Sequence, residues 1–219
     1  MLKGDFHMHT HHSYDCLVEP RALVDRCIKV GLNCIAVTDH NSLEGALAVK
    51  NIAPFFVILG EEIKTTHGEI TGLFLTEEIP KGLSPLETVQ RIKEQGGLVS
   101  LPHPFDRIGR SPLESEIIAE LVSQVDIIEG FNARTTFRGD NMRSQKFAEE
   151  NSLPMTAVSD AHTLGELGIS YTEFPEFDGS ASGFKDALKN ARLTQRNSSP
   201  LVHLYSTMNK LRRKLSRPS

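Results

Sequence analysis

Asp5-Phe6-His7-Met8-His9-Thr10 sets two imidazoles two residues apart, with His11, His12 and Asp15 close behind. On an extended strand residues i and i+2 point to the same face, so His7 and His9 project together and can grip one ion. The pattern recurs at later strand-like ends. Asp39-His40 closes the apolar run Cys34-Ile35-Ala36-Val37, and Glu61-Glu62 follow Phe55 to Gly60. His103 stands between Pro102 and Pro104 after Leu98-Val99-Ser100-Leu101, and Asp160-Ala161-His162 follows Met155-Thr156-Ala157-Val158. Zinc and manganese accept imidazole and carboxylate ligands, and a bridging carboxylate holds two ions side by side. The candidate ligands are His7, His9, Asp15, His40, Glu62, His103, Asp160 and His162, too many for one ion and suited to two or three. Any one of them alone would read as a hydrogen-bonded structural residue. Their joint placement predicts a multi-metal site.

Such side chains need strands to carry them, and strand-like runs alternate with helix-like ones along most of the chain. Pro20 to Val30 has an apolar stripe at Leu23, Val24, Cys27 and Ile28, ended by Gly31. Cys34 to Thr38 is a strand, and Ser42 opens a helix to about Asn51. Phe55 to Leu59 is the next strand. Ile63 to Thr66 and Ile70 to Leu75 flank His67-Gly68 as a hairpin. Ser84 and Glu87 form a capping box for a helix to about Gln95. Further helix-strand units are Ser115 to Ser123 with Val125 to Glu129, and Arg138 to Asn151 with Met155 to Val158. Ile169 to Phe174 with Ala181 to Asn190 is read as a last strand-helix unit. This alternation implies an α/β fold with parallel strands, either a closed or partly closed barrel or a doubly wound sheet. Both architectures put functional groups at the strand C-termini, where the histidines and acids fall.

The 219 residues suffice for one sizeable core, and a net charge of -4 supplies no general field for nucleic acid. Anionic substrates must therefore be drawn in locally, by metals and arginines. Three cysteines, Cys16, Cys27 and Cys34, are odd in number and read as thiols of a reducing compartment. No apolar run reaches transmembrane length and no signal-type stretch opens the chain, so a cytoplasmic protein with no membrane partner is expected. From Asn197 the character changes: Leu201, Leu204, Met208, Leu211 and Leu215 lie among Lys210, Arg212, Arg213 and Lys214, an amphipathic basic helix expected to dock its apolar stripe.

Asp5-Phe6-His7-Met8-His9, Thr38-Asp39-His40-Asn41, Gly60-Glu61-Glu62, Pro102-His103-Pro104 and Ser159-Asp160-Ala161-His162 resemble, in order, the successive motifs of the PHP (polymerase and histidinol phosphatase) family. The resemblance runs from about residue 2 to 190. It implies a distorted seven-stranded (β/α) barrel over residues 1–196, with the tail, 197–219, packed on it. It also implies two or three divalent ions (Zn, Mn or Fe) that hydrolyse phosphoesters. Glu62 becomes the metal-bridging carboxylate, while Glu61 faces the other side of its strand. The chain departs from the family pattern at the hairpin, where Glu69 follows Gly68 in place of a histidine, leaving a carboxylate for any third ion. His67 reads as a turn residue, and His11 and His12 match no motif position.

Ions held there would acidify water and neutralise phosphoryl oxygens. Asp39 is placed to orient His40 or take a proton. Arg107, Arg110 and Arg134 occupy loops after strand ends, where a guanidinium can fork onto a phosphate, with Arg107 and Arg134 favoured. The expected activity is hydrolysis of a small phosphorylated metabolite or nucleotide, with nucleic acid entering only as a short oligonucleotide. The alternatives are histidinol-phosphate phosphatase and a non-catalytic metal-binding module. An amidohydrolase also opens with His-x-His, but no lysine stands at a strand end to form a carbamylated bridge.

Overall fold

The computed structural model describes residues 1–108 and 111–216; Arg110 lies outside the described residues. Strands β1 (Leu2–Asp5), β2 (Cys34–Val37) and β3 (Phe56–Thr65) pair in parallel. Helices α1 (Pro20–Val30) and α2 (Glu44–Ile52) make the crossovers between them. The local chemistry of α1 explains its bounds. Pro20 sits at its first turn, and Gly31 leaves it at φ 77°, its N–H reaching back to the Cys27 and Ile28 carbonyls. β3 then turns at His67-Gly68 into β4 (Gly68–Leu73), the expected hairpin, with Thr65 paired to Gly68.

Helix α3 (Pro85–Glu94) opens on the Ser84–Glu87 capping box, with both reciprocal hydrogen bonds made. It leads to β5 (Leu98–Leu101), antiparallel to β4. Next come α4 (Ser115–Leu121), β6 (Ile127–Asn132), α5 (Arg138–Glu150) and β7 (Met155–Val158), with β5, β6 and β7 parallel.

Beyond this point the structure departs from the sequence reading. Nine strands, not seven, form one barrel-like sheet among the described residues, in the order β7-β6-β5-β4-β3-β2-β1-β8-β9. β8 (Tyr171–Phe174) was expected to open a parallel unit but runs antiparallel to β1. A parallel return needs a crossover, usually a helix, and the link from β7 to β8 contains only turns and bends. After α6 (Ala181–Leu188), β9 (Arg192–Thr194) adds an edge strand too short to announce itself in sequence.

The sheet curls until its ends meet. Thr172 on β8 bonds the Ala157 backbone of β7, and beyond β8 the chain after β1 pairs directly with the chain after β7 through Met8 and Ala161. One cluster joins the strand residues Cys34, Ala36, Ile58, Leu98, Ile127 and Val158 to Phe6 and Phe174, with Phe184 and Leu188 of α6 packed against them. Hydrocarbon thus fills the sheet's inner face toward the start of most of these strands, while the polar chemistry gathers where they end.

The last helix, α7 (Val202–Ser216), lies over that polar end. It is amphipathic as expected, but its orientation corrects the sequence reading. Val202, Ser206 and Asn209 are buried, whereas Leu201, Leu204, Tyr205, Met208 and Leu211 face solvent. Among the described residues no helix is long and apolar enough to cross a membrane.

Candidate metal centre

His7 and His9 lie just past β1, His40 past β2, Glu62 within β3, His103 past β5, and Asp160 and His162 past β7. Asp15 comes from the loop before α1. All eight are buried or nearly so and line or underlie one cavity of about 340 Å³. His103 and Asp160 hold φ of 30° and 52°, a left-handed backbone that costs of order 1–3 kcal/mol each and collects at functional sites.

The donor atoms meet closely. His7 Nε2 and His9 Nε2 are 3.1 Å apart, and Glu62 Oε2 lies 3.3 and 3.6 Å from them. Asp160 Oδ1 lies 3.7 and 3.5 Å from the same two nitrogens. A tetrahedral set of ligands with bonds of about 2.0–2.2 Å has edges of about 3.3–3.6 Å, so the His7, His9 and Glu62 atoms can share one cation, with Asp160 beside the two imidazoles. Glu62 then faces two ways. Its Oε2 is 3.0 Å from His40 Nδ1, while its Oε1 is 3.0 Å from His103 Nε2. Asp15 Oδ2 lies 3.5 Å from His40 Nε2 and 3.3 Å from His162 Nε2, and its buried Oδ1 has no hydrogen-bond partner among the described residues. Three donor groups result, His9-His40-His162, His7-His9-Glu62 and Glu62-Glu69-His103, the last with the hairpin carboxylate.

The electrostatics ask for positive charge. Burial pulls the His7 imidazole down, but Asp160, Glu129 and Glu62 more than reverse this and hold its pKa well above the ordinary value. Burial and the neighbouring His162 push His9 down to about 3, leaving a neutral imidazole with a lone pair. Burial and the Glu62 charge raise Glu69. Buried carboxylates and imidazoles packed this tightly fit divalent cations.

Residues that hold the donors were not recognised in the sequence. His7 Nδ1–H donates to Glu129 Oε1 at 2.6 Å, which leaves Nε2 as the open nitrogen. Glu129 Oε2 accepts from the His103 backbone N–H and from Asn132 Nδ2, both at 2.8 Å. Glu129→Gln loses one of these acceptors, and metal affinity should fall about 10- to 100-fold with the fold intact. A chelator titration of both proteins measures it; equal affinities would mean the donors orient themselves.

Asp39 sits in a buried hydrogen-bond network beside the donors. Its Oδ1 accepts from Thr10 N–H and Ser13 Oγ–H, both at 2.7 Å, and its Oδ2 from Thr10 Oγ1–H at 2.6 Å. Ser13 Oγ in turn accepts from His9 Nδ1–H and His40 N–H, each at 3.0 Å. Through Ser13 this network reaches both the His9 ring and the His40 backbone.

Arg107 bonds Asp140 at 2.9 Å and stacks on Phe137, outside the cavity lining. Arg134 does reach the cavity wall, but it is only 5% exposed and already engaged. Its Nη2 donates to Ser206 Oγ at 2.6 Å and the Val202 carbonyl at 3.1 Å, its Nη1 lies against His162 Nδ1, and its Nε is 3.4 Å from Glu166. His11 and His12 pair outward with Glu19 and Glu44, and His67 bonds Thr66 in the turn.

Glu61 faces away from the donors, as expected, with Oε2 accepting the Ile79 N–H at 2.9 Å. Burial pushes its carboxyl up to about 8 from an ordinary 4.5. Between those pH values the folded protein keeps a proton that the unfolded chain has released, so stability falls as pH rises through the window. Glu61→Gln should remove that slope and gain a few kcal/mol at pH 8, with no gain below pH 4.5, while binding metal as before. Urea unfolding across this pH range checks the sign; an unchanged slope would place the titration elsewhere.

Comparison with known proteins agrees with this geometry. Residues 5–96 match the PHP domain and residues 138–193 the PHP-associated region. The uncharacterized protein MJ0417 of Methanocaldococcus jannaschii is 38% identical over 181 residues, 81% of this chain and 72% of that protein. A second protein of that organism, MJ1587, is 40% identical over 147 residues, 60% of this chain and 82% of its own length. Among solved structures, a two-domain protein from Bacteroides vulgatus containing a predicted PHP-like metal-dependent phosphoesterase superposes with a TM-score of 0.73 at 21% identity. That match covers 89% of this chain, which spans 65% of the Bacteroides protein. The chain belongs to the PHP domain family.

Proposed function

We propose that the chain is a metal-dependent phosphoesterase that hydrolyses a small phosphorylated metabolite or nucleotide at a centre of two or three divalent ions. The observation that carries this reading is Glu62, one buried carboxylate whose two oxygens face separate imidazole sets. His7, His9, His40, His103 and His162 with Asp15, Asp160 and Glu69 complete a set suited to zinc, manganese or iron. Ions bound there would supply Lewis acidity toward the phosphoryl group and acidify water. The chain's own residues keep the site in order. Glu129 and Ser13 fix the His7 and His9 rings, and Asn132 donates to Asp160 Oδ2 at 3.2 Å.

The cavity of about 340 Å³ is near the lower end for small-molecule sites, which supports a compact substrate or the end of a short oligonucleotide over duplex. The intact donor set argues against a silent metal-binding module. We read residues 1–196 as the barrel and the rest as a tail whose described helix, Val202–Ser216, packs over its site. The three buried thiols, pushed up to about 12 by burial, support a reducing, cytoplasmic setting.

The test is a panel of phosphorylated metabolites, nucleotides, histidinol phosphate and short oligonucleotides, offered to protein reconstituted with zinc, manganese or iron. Phosphate release that vanishes on chelation and returns with metal is expected. No turnover on any member, with metal demonstrably bound, would sink the phosphoesterase reading in favour of the silent module.

A further inference from the structure

Helix α7 packs in an unusual sense. His203, Ser206, Thr207 and Lys210, spaced i, i+3, i+4, i+7 on one helical face, line the metal cavity, while the apolar stripe faces solvent. Its contacts run to the metal centre. Arg134 donates to the Val202 carbonyl and to Ser206, and His203 Nε2 donates to the Arg134 carbonyl at 3.1 Å. Asn209 Nδ2 donates to the Asp15 carbonyl at 3.3 Å. The helix is thus registered on residues that position the ligands.

A phosphoester brings one or two negative charges, and a cation beside the metals is needed to hold it. Among the described residues lining the cavity, the lysines and arginines are Arg134 and Lys210. Arg134 is occupied by protein acceptors, as above. Lys210 is not buried to that extent: its side chain is 45% exposed, its Nζ stands 3.5 Å from Asp15 Oδ2, and it lies over the Tyr14 ring at 5.0 Å. Tyr14 itself stacks on His40. The ammonium therefore sits at the rim of the cavity, half exposed and paired with a carboxylate of the donor set.

We propose that α7 supplies an anion subsite in which Lys210 anchors the phosphoryl group of the substrate. This rests on the phosphoesterase reading and adds the residue that selects for a charged, phosphate-bearing ligand. An ammonium suits the task, because it presents three rotatable donors to a group whose oxygens are shared with metal.

The experiment uses the full chain reconstituted with metal and titrated with inorganic phosphate by calorimetry. Lys210→Ala should weaken phosphate binding about 10- to 50-fold, the scale of one charge-assisted hydrogen bond. Metal content should be unchanged, and Lys210→Arg should restore affinity to within about threefold. On an active phosphoester the same loss should appear in KM more than in kcat. Undiminished phosphate affinity in Lys210→Ala would overturn the subsite, and so would loss of metal, which would mean that Lys210 acts through Asp15. A wild-type protein that holds its metals and binds no phosphate would instead overturn the phosphoesterase reading itself.

Discussion

Glu62→Gln should lower the metal content of the folded protein by at least one ion per chain and cut phosphoester turnover at least about a hundredfold. The size of the effect follows from position. Glu62 is about 1% exposed and lies within 3.0–3.6 Å of four imidazoles, so its charge serves more than one donor group. Burial alone would raise its pKa, but His7 and His40 hold it well below the ordinary carboxylate range, and it carries its charge at any working pH. Glutamine keeps the shape and removes that charge. Elemental analysis alongside turnover separates the two losses. Wild-type stoichiometry and rate would show that the adjacent Glu69 carries the bridge.

Arg134→Ala should destabilise the fold by about 3–5 kcal/mol, the usual penalty for stranding one member of a buried ion pair. Glu166, only 1% exposed, would lose its cation, and the Val202 carbonyl and Ser206 hydroxyl would lose their donors. Read from sequence, Arg134 is a loop cation placed to fork onto a phosphate. Its burial makes stability the first property to suffer. Arg134→Lys should recover only part, since an ammonium cannot span Glu166 and Ser206 together. Urea unfolding measures both variants. A loss under about 1 kcal/mol in the alanine variant would mean that α7 is held by other contacts.

Much of this is legible in the amino-acid order because the donors sit at strand ends. His7 and His9 share a face by strand periodicity, and the apolar runs before His40, His103 and Asp160 mark the strands that deliver them. The hairpin at His67-Gly68 and the Ser84–Glu87 cap are equally plain, being local chemistry. What is not legible depends on partners far along the chain. Glu129 reads as one more residue of a buried strand until His7, 122 residues away, is found against it. Asp39 gives no sign in sequence of the bonds it accepts from Thr10 and Ser13. The reversal of β8 turns on a missing helix, and the three-residue β9 carries too little pattern to be seen. α7 misleads because hydrophobic periodicity reports that a helix is amphipathic, not which side its neighbours will claim. Here hydrogen bonds to Arg134 and Asp15 decide, against the apolar stripe.

The closure of the sheet constrains how the protein can be made. His7 and His9 are separated from Glu62, Asp160 and His162 by long stretches of chain, and β1 takes its β8 neighbour from residues 171–174. Pairings of such wide sequence separation form late, because the chain between them must first be ordered. The donor residues therefore come together only as the sheet closes, so the site is assembled by the last long-range pairings rather than by any local segment.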